Sequence, residues 1–380
     1  MNKLVQGITN LSKKQRIWLV LILLAAGINV LAWSSPAFCD FYVENIFPWL
    51  GGAYSRVTAV VPFSVGECMI VMAILFCLVL VTAAVLRLTW RQERIIRIWR
   101  GISRTFCWTL LLFLWIMTLN CFIQYHASAF EDKYMTQRRQ EGFFNEELAA
   151  LRDHVVVQAN ALAEKMPRDS EGDVLYDGDL YAAAQEAMQL LGMRYNQMQG
   201  FYPPPKQIYF SELLSQSYMM GYYFPFSMEA NYNREMYIVN MPSVICHELA
   251  HLKGIIQEDE ANLIGYLACI DSEDVFFQYS GYMGVLSYVE NAFLRNIHRD
   301  AKLYNEHPAI SELVRHDDIF LTKKAWEKVE EKSVLDTETV RKVSDTATDV
   351  TLKINGVEEG VKSYSGVVEL LLHYYDGILF

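Results

Sequence analysis

His247-Glu248-Leu249-Ala250-His251-Leu252-Lys253-Gly254-Ile255-Ile256-Gln257-Glu258-Asp259-Glu260-Ala261-Asn262 is the stretch that decides how the second half of this chain must fold. Its first five residues are an HExxH motif. Residues four apart lie on one face of a helix, so His247 and His251 can reach one Zn²⁺ ion at about 2.0–2.1 Å. Glu248 follows the first imidazole and is placed to take a proton from an activated water. Val244, Ile245, Leu249, Ala250 and Leu252 surround the motif, so the helix reads as buried. Two imidazoles and a carboxyl group buried without partners would cost several kcal/mol.

A third protein ligand is expected, with the fourth position left to water. Glu258 is the candidate, and it imposes a condition. On an unbroken helix it would lie about 10 Å along the axis beyond His251, at about 1.5 Å per residue. The helix must therefore stop and the chain turn back. Gly254 stands where a left-handed cap is needed, Ile255-Ile256 suits a short extended link, and Glu258-Asp259-Glu260 suits the positive end of a new helix. Glu260 competes as third ligand, with Gln257 as an outsider. Asn262, one turn after Glu258, is placed to support a ligand by a hydrogen bond.

Working outward from the motif, the first third of the chain is of another kind. Ile17–Trp33, Cys68–Leu86 and Phe106–Ile123 are apolar runs of bilayer-spanning length. They predict a membrane region over 1–125, with spans near 17–34, 63–88 and 105–125, and a domain over 126–380. Lys3, Lys13, Lys14 and Arg16 precede the first run. Arg87, Arg91, Arg94, Arg97, Arg100 and Arg104 fill the loop between the second and third. By the positive-inside rule the amino terminus and that loop are cytoplasmic, and the domain is extracytoplasmic. Small residues after the first run leave cleavage as a signal peptide open. Asn29, Glu67 and Asn120 are too few polar groups for a transport pathway, and Glu67 reads as interfacial.

Charge excludes one class of partner. Only Asp40, Glu44, Glu67 and Glu93 of the 44 acidic residues precede residue 126, so the domain is strongly acidic. It offers no basic stripe for nucleic acid. The expected partners are the lipid bilayer and a peptide or protein substrate. The seven cysteines include no CxxC spacing. Cys39 reads as a loop residue, while Cys246 and Cys269 read as small buried hydrophobes beside a helix pair, a bridge between them being the alternative.

The domain itself reads as mostly helical. Helices are expected near Asn145–Lys165, Asp179–Gln199 and Asp274–Arg295, with a stiff Pro203-Pro204-Pro205 connector and a last helix after the Asn355-Gly356 turn. Alternation over Ser227–Asn233 predicts a half-buried strand, paired as a hairpin with Glu235–Asn240. Its edge is where an extended substrate would add. Ser243 is expected to cap the motif helix. Tyr364, His373 and Tyr374 are candidate donors to an oxyanion.

Glu258-Asp259-Glu260-Ala261-Asn262 resembles the E-x-x-A-[D/N] element of gluzincin-type zinc peptidases, although only six residues separate His251 from Glu258. That resemblance implies Glu258 as third ligand and Asn262 as its support. Nearly the whole chain resembles a domain-of-unknown-function family of bacterial membrane proteins with a zinc-peptidase-like site. Pro62–Glu67, Pro225–Asn231, the motif stretch and Gly360–Tyr364 carry the likeness. The fold then expected is three transmembrane helices plus a mostly α (α+β), zincin-like domain with a small antiparallel sheet. The expected function is zinc-dependent peptide hydrolysis outside the cytoplasmic membrane. The alternative is a catalytically silent zinc-binding sensor or scaffold.

Overall fold

The computed structural model describes residues 12–90, 92–135, 143–333, 335–354 and 366–380. Lys3, Arg91, Tyr364, the Asn355-Gly356 turn and the Gly360–Tyr364 stretch lie outside them. Three helices are long and apolar enough to cross a membrane: α1 (Lys13–Ser34), α3 (Val65–Thr89) and a 33-residue helix over Glu93–Tyr125. The chain is a multi-pass membrane protein. The last of these helices is α4 (Glu93–Met117), continued through a wide π-turn at Thr118–Phe122 into Ile123–Tyr125. Ser12 opens α1 with a capping box to Gln15, and Ser64 opens α3 by accepting the Glu67 N–H at 3.1 Å. Their outer faces carry exposed Leu, Ile, Val and Met side chains, as lipid-facing helices do. Asn29 donates to Thr118 Oγ1 at 2.8 Å and Trp18 to the Cys107 carbonyl at 3.3 Å, which fixes α1 parallel to α4.

Between α1 and α3 the chain is helical rather than a loop. Pro36–Phe41 contains Cys39, which is buried, and a π-turn leads into α2 (Phe47–Ala59). Tyr42, Val43, Phe47 and Ile123 belong to the same apolar core as Leu249 and Ile264. Packing therefore crosses the expected division at residue 125.

The core of the larger part is a helix stack. α5 (Asn145–Ala163) packs on α9 (Val275–Asn296), and α8 (Glu258–Ile270) lies between α9 and α7 (Met241–His251). α6 (Leu180–Arg194) and α10 (Val367–Tyr375) close the sides. Asp274 caps α9 through the Phe276 N–H at 2.8 Å. Ser243 does not cap α7. The helix begins two residues earlier, with Pro242 in its first turn, and the Ser243 hydroxyl instead donates to the Asn240 carbonyl at 3.2 Å. Cys246 and Cys269 are buried free thiols.

The sheet corrects two expectations. It is mixed rather than antiparallel, in the order β1-β3-β2: β1 (Lys206–Gln207) runs parallel to β3 (Glu229–Tyr232), and β2 (Gly221–Phe224) runs antiparallel to it. The hairpin partner of β3 is the preceding strand β2, not Glu235–Asn240. Asn233 Oδ1 accepts the Glu235 N–H at 2.9 Å, a local turn that diverts the chain into a 3₁₀ turn at Ile238–Asn240. β3 is buried on both faces. Its polar face is covered because Glu229 accepts from the backbone of Val65 and Gly66 and from Lys206. The alternation in sequence marks two buried faces, one apolar and one hydrogen-bonded. Glu67 is also more than interfacial: it is buried and accepts the Tyr209 and Phe210 N–H groups at 2.7 and 3.0 Å.

Candidate metal centre

α7 ends at His251 because the chain turns through Leu252–Gly254. Gly254 has φ +82°, a left-handed conformation that glycine adopts without Cβ strain. A Cβ there would also meet Val43 Cγ1 at 3.1 Å. Ile255 and Ile256 bury their side chains in the extended link, and α8 starts at Glu258. The antiparallel return is close because Gly265 faces α7: a Cβ on it would lie 2.8 Å from the Ser243 carbonyl and 3.2 Å from the His247 nitrogen. This approach brings Asn262 under His247.

His247, His251 and Glu258 converge, each offering one ligand atom within 4.8 Å of the others. The two Nε2 atoms are 3.2 Å apart. Glu258 Oε2 is 3.2 Å from His247 Nε2 and 4.0 Å from His251 Nε2. A tetrahedral zinc with ligands at about 2.0–2.1 Å has ligand-to-ligand edges of about 3.3 Å. His247 and Glu258 retain 13 % and 17 % side-chain exposure, so the cluster reaches solvent.

The far side of each ring fixes its proton. His251 Nδ1 lies 2.6 Å from the Ile255 carbonyl, which only accepts, so Nδ1 carries the hydrogen. His247 Nδ1 is 2.9 Å from Asn262 Oδ1, with the same consequence. When both rings are neutral, their Nε2 atoms present lone pairs towards each other and towards the Glu258 carboxylate, a donor set that a cation or a proton on His247 would relieve. Burial, aided by the charge of His247 and opposed by that of Glu258, pushes His251 down to about 4. Burial also acts to lower His247, but the Glu258 hydrogen bond and the charges of Glu248 and Glu258 outweigh it, for a net rise.

Glu248 is buried, and burial raises its carboxyl to about 8. Its Oε2 has no hydrogen-bond partner among the described residues. Its Oε1 lies against β2, where a Cβ on Gly221 would come within 2.7 Å of it. The strand passes this close to the carboxylate only because position 221 has no side chain.

The other candidate residues go elsewhere. Glu260 accepts the Phe130 N–H and is buried away from the cluster, and its carboxyl is raised to about 8 by burial. The Gln257 side chain approaches the Tyr125 carbonyl at 3.5 Å. His373 pairs with Glu131 at 3.0 Å, and Tyr374 accepts from Arg194 at 3.3 Å. Tyr288 of α9 stands beside the site instead. Burial and then the charge of Glu258 raise its hydroxyl, which lies next to Asn262. No sequence signal separates it from the chain's 22 tyrosines.

No curated protein and no solved structure matches the chain. Residues 42–372 match the family described as protein of unknown function, DUF3810. The three apolar helices and the His247–His251–Glu258 cluster thus belong to a chain that is a member of the DUF3810 family.

Proposed function

We propose that this protein is a membrane-anchored zinc metallopeptidase whose active domain lies on the extracytoplasmic side. The observation that carries the reading is the convergence of two Nε2 lone pairs and one carboxylate on a single point, with each imidazole held by an acceptor behind it. Two nitrogens and one oxygen at these separations suit Zn²⁺ with one position open. Bound there, zinc would polarise a substrate carbonyl and acidify a water.

The chain's own residues supply the rest. Glu248 Oε2 is free to take the proton of the attacking water and return it to the leaving amine. Burial brings the carboxyl to about 8, near neutral pH, where a group can both take up and give back a proton. His247 and His251 stay oriented through their Nδ1–H bonds. The substrate edge belongs to β2, since β3 is central in the sheet. An extended peptide lying along β2 would pass Gly221 beside Glu248. Tyr288, within reach of Asn262 and of the Glu258 charge, is a candidate to donate to the developing oxyanion. The zincin-like architecture belongs to this same reading.

Orientation follows from charge. Lys13, Lys14 and Arg16 on α1 lie at the same end of the helical bundle as Arg94, Arg97, Arg100 and Arg104 on α4, because these helices run parallel. This end is assigned to the cytoplasm.

The rival reading is a zinc-stabilised module without catalysis. A structural site has no use for Glu248, whose burial is costly. Glu248→Gln decides between them. The variant is expected to bind one zinc per chain and to lose peptide hydrolysis by at least about 10²-fold. A Gln variant as active as the parent would remove the enzyme reading.

A further inference from the structure

An apolar cleft of about 480 Å³ opens between α3 and α4. Ala73, Ile74 and Leu78 of α3 and Phe113 of α4 line it, together with Phe224 and Phe226. These last two are not membrane-helix residues. Phe224 is the final residue of β2 and Phe226 lies in the turn to β3. The hairpin is pinned against the helices: Asn120 donates to the Pro225 carbonyl at 2.7 Å, the Phe226 ring lies 4.8 Å from Phe113, and Phe224 packs over Gly66. At its other end the same strand meets the candidate base, since Gly221 contacts Glu248. Gly221 and Phe224 are separated by about 10 Å of extended chain, at about 3.3 Å per residue. One four-residue strand therefore runs from the metal cluster into a cleft between membrane helices.

We propose that the cleft holds the hydrocarbon chain of a lipid-anchored peptide, and that β2 carries the residues next to that anchor up to Glu248. The inference rests on the peptidase reading and names its substrate class. The cleft's size selects the occupant. A transmembrane helix is about 10 Å across, far wider than a single hydrocarbon chain, and could only lie over the open side of the cleft rather than enter it. A single acyl chain is slender enough, and the residues lining the cleft are all apolar. The connection selects it further. A peptide pairing with the β2 edge reaches Phe224 with its backbone at the mouth of the cleft, so a chain attached there enters without leaving the strand. An unattached bilayer lipid would gain nothing from β2.

The test uses the full-length Glu248→Gln protein in phosphatidylcholine nanodiscs, so that no hydrolysis is needed for the readout. A mixed-sequence peptide pool bearing one diazirine-labelled palmitoyl group is photolysed, and the labelled residues are mapped by mass spectrometry. Labelling is expected on Ile74, Leu78 and Phe226. A non-photoreactive acyl-peptide in tenfold excess should reduce it about tenfold, and the same peptides without the acyl chain should not. Ala73→Trp, which fills the cleft, should reduce it similarly while zinc content stays at the parent level. Equal labelling of the same residues by a diazirine phosphatidylcholine, undiminished by acyl-peptide, would overturn the proposal in favour of ordinary bilayer lipid. So would labelling spread over the outer faces of the helices. Absence of zinc in the same preparation would instead count against the peptidase reading, which separates the two failures.

Discussion

The Gly66 N–H at the start of α3 donates to the Glu229 carboxylate on β3 at 2.8 Å. This bond joins a membrane helix directly to the central strand of the sheet beside the His247–His251–Glu258 cluster. Glu229 also accepts from Val65, Ser227 and Lys206. The Lys206 ammonium in turn donates to the Thr58 and Phe63 carbonyls at 2.7 and 3.0 Å. The sheet is thereby held at a fixed height over the helices.

Lys206→Met removes the cation and leaves Glu229 buried with its charge uncompensated. The Lys206 and Glu229 side chains are 4 % and 1 % exposed. Loss of about 3–5 kcal/mol of stability is expected, as when one partner of a buried pair is deleted. The double variant Lys206→Met/Glu229→Gln should recover part of it. Thermal unfolding of the detergent-solubilised protein measures both, and a single variant as stable as the parent would contradict the pairing.

The third ligand is tested by two glutamines. Glu258→Gln should abolish stoichiometric zinc, because its Oε2 faces both imidazoles. Glu260→Gln should keep it, since that carboxyl serves the Phe130 N–H and an amide oxygen accepts equally well. Asn262→Ala, which frees the His247 ring, should weaken affinity by about 10–100-fold. Metal analysis after dialysis against a buffered chelator gives all three numbers.

Gly254→Ala forces a Cβ into the left-handed region and against Val43 Cγ1. A cost of about 1–2 kcal/mol is expected from the backbone alone. Because this turn sets α8 against α7, zinc affinity should fall together with stability. A variant that loses stability yet binds zinc as tightly as the parent would show that the turn does not position Glu258.

Acid stability should report on Asp317. Burial acts to raise its carboxyl, but hydrogen bonds from Arg168, Tyr279 and His316 and the Arg168 charge overcome it, leaving it below the usual 3.8. A depressed carboxyl contributes stability that is complete above 3.8 and is lost as pH falls through the lower folded value. Asp317→Asn should therefore be less stable at neutral pH and should have a flatter stability profile than the parent between 3.8 and the lower folded value. Chemical denaturation at stepped pH measures both slopes.

Much of the site was legible from local rules. The i, i+4 spacing of His247 and His251 places them on one face wherever that helix forms. The need for a return to Glu258 predicted a stop at Gly254, and a left-handed residue is found there. The three membrane helices were equally plain, because hydrocarbon thickness sets the length of an apolar run. Strand pairing was not legible. Ser227–Asn233 and Glu235–Asn240 look like a hairpin in sequence, but β3 pairs backwards with β2 and sideways with β1. Nothing in either segment records that Lys206 and the end of α3 would cover its polar face.

The sequence by itself determined which atoms are available to a metal and that they must sit on two helices joined by a tight turn, since periodicity and a glycine's backbone freedom are properties of the local chain. Only the tertiary structure decided that Glu258 and not Glu260 faces the imidazoles. It alone set β2 beside Glu248, and it alone made Tyr288 a neighbour of the cluster. Those relationships depend on how closely whole helices and strands approach, which is fixed by side chains far apart in sequence, such as Gly265 against Ser243 and Gly66 against Phe224.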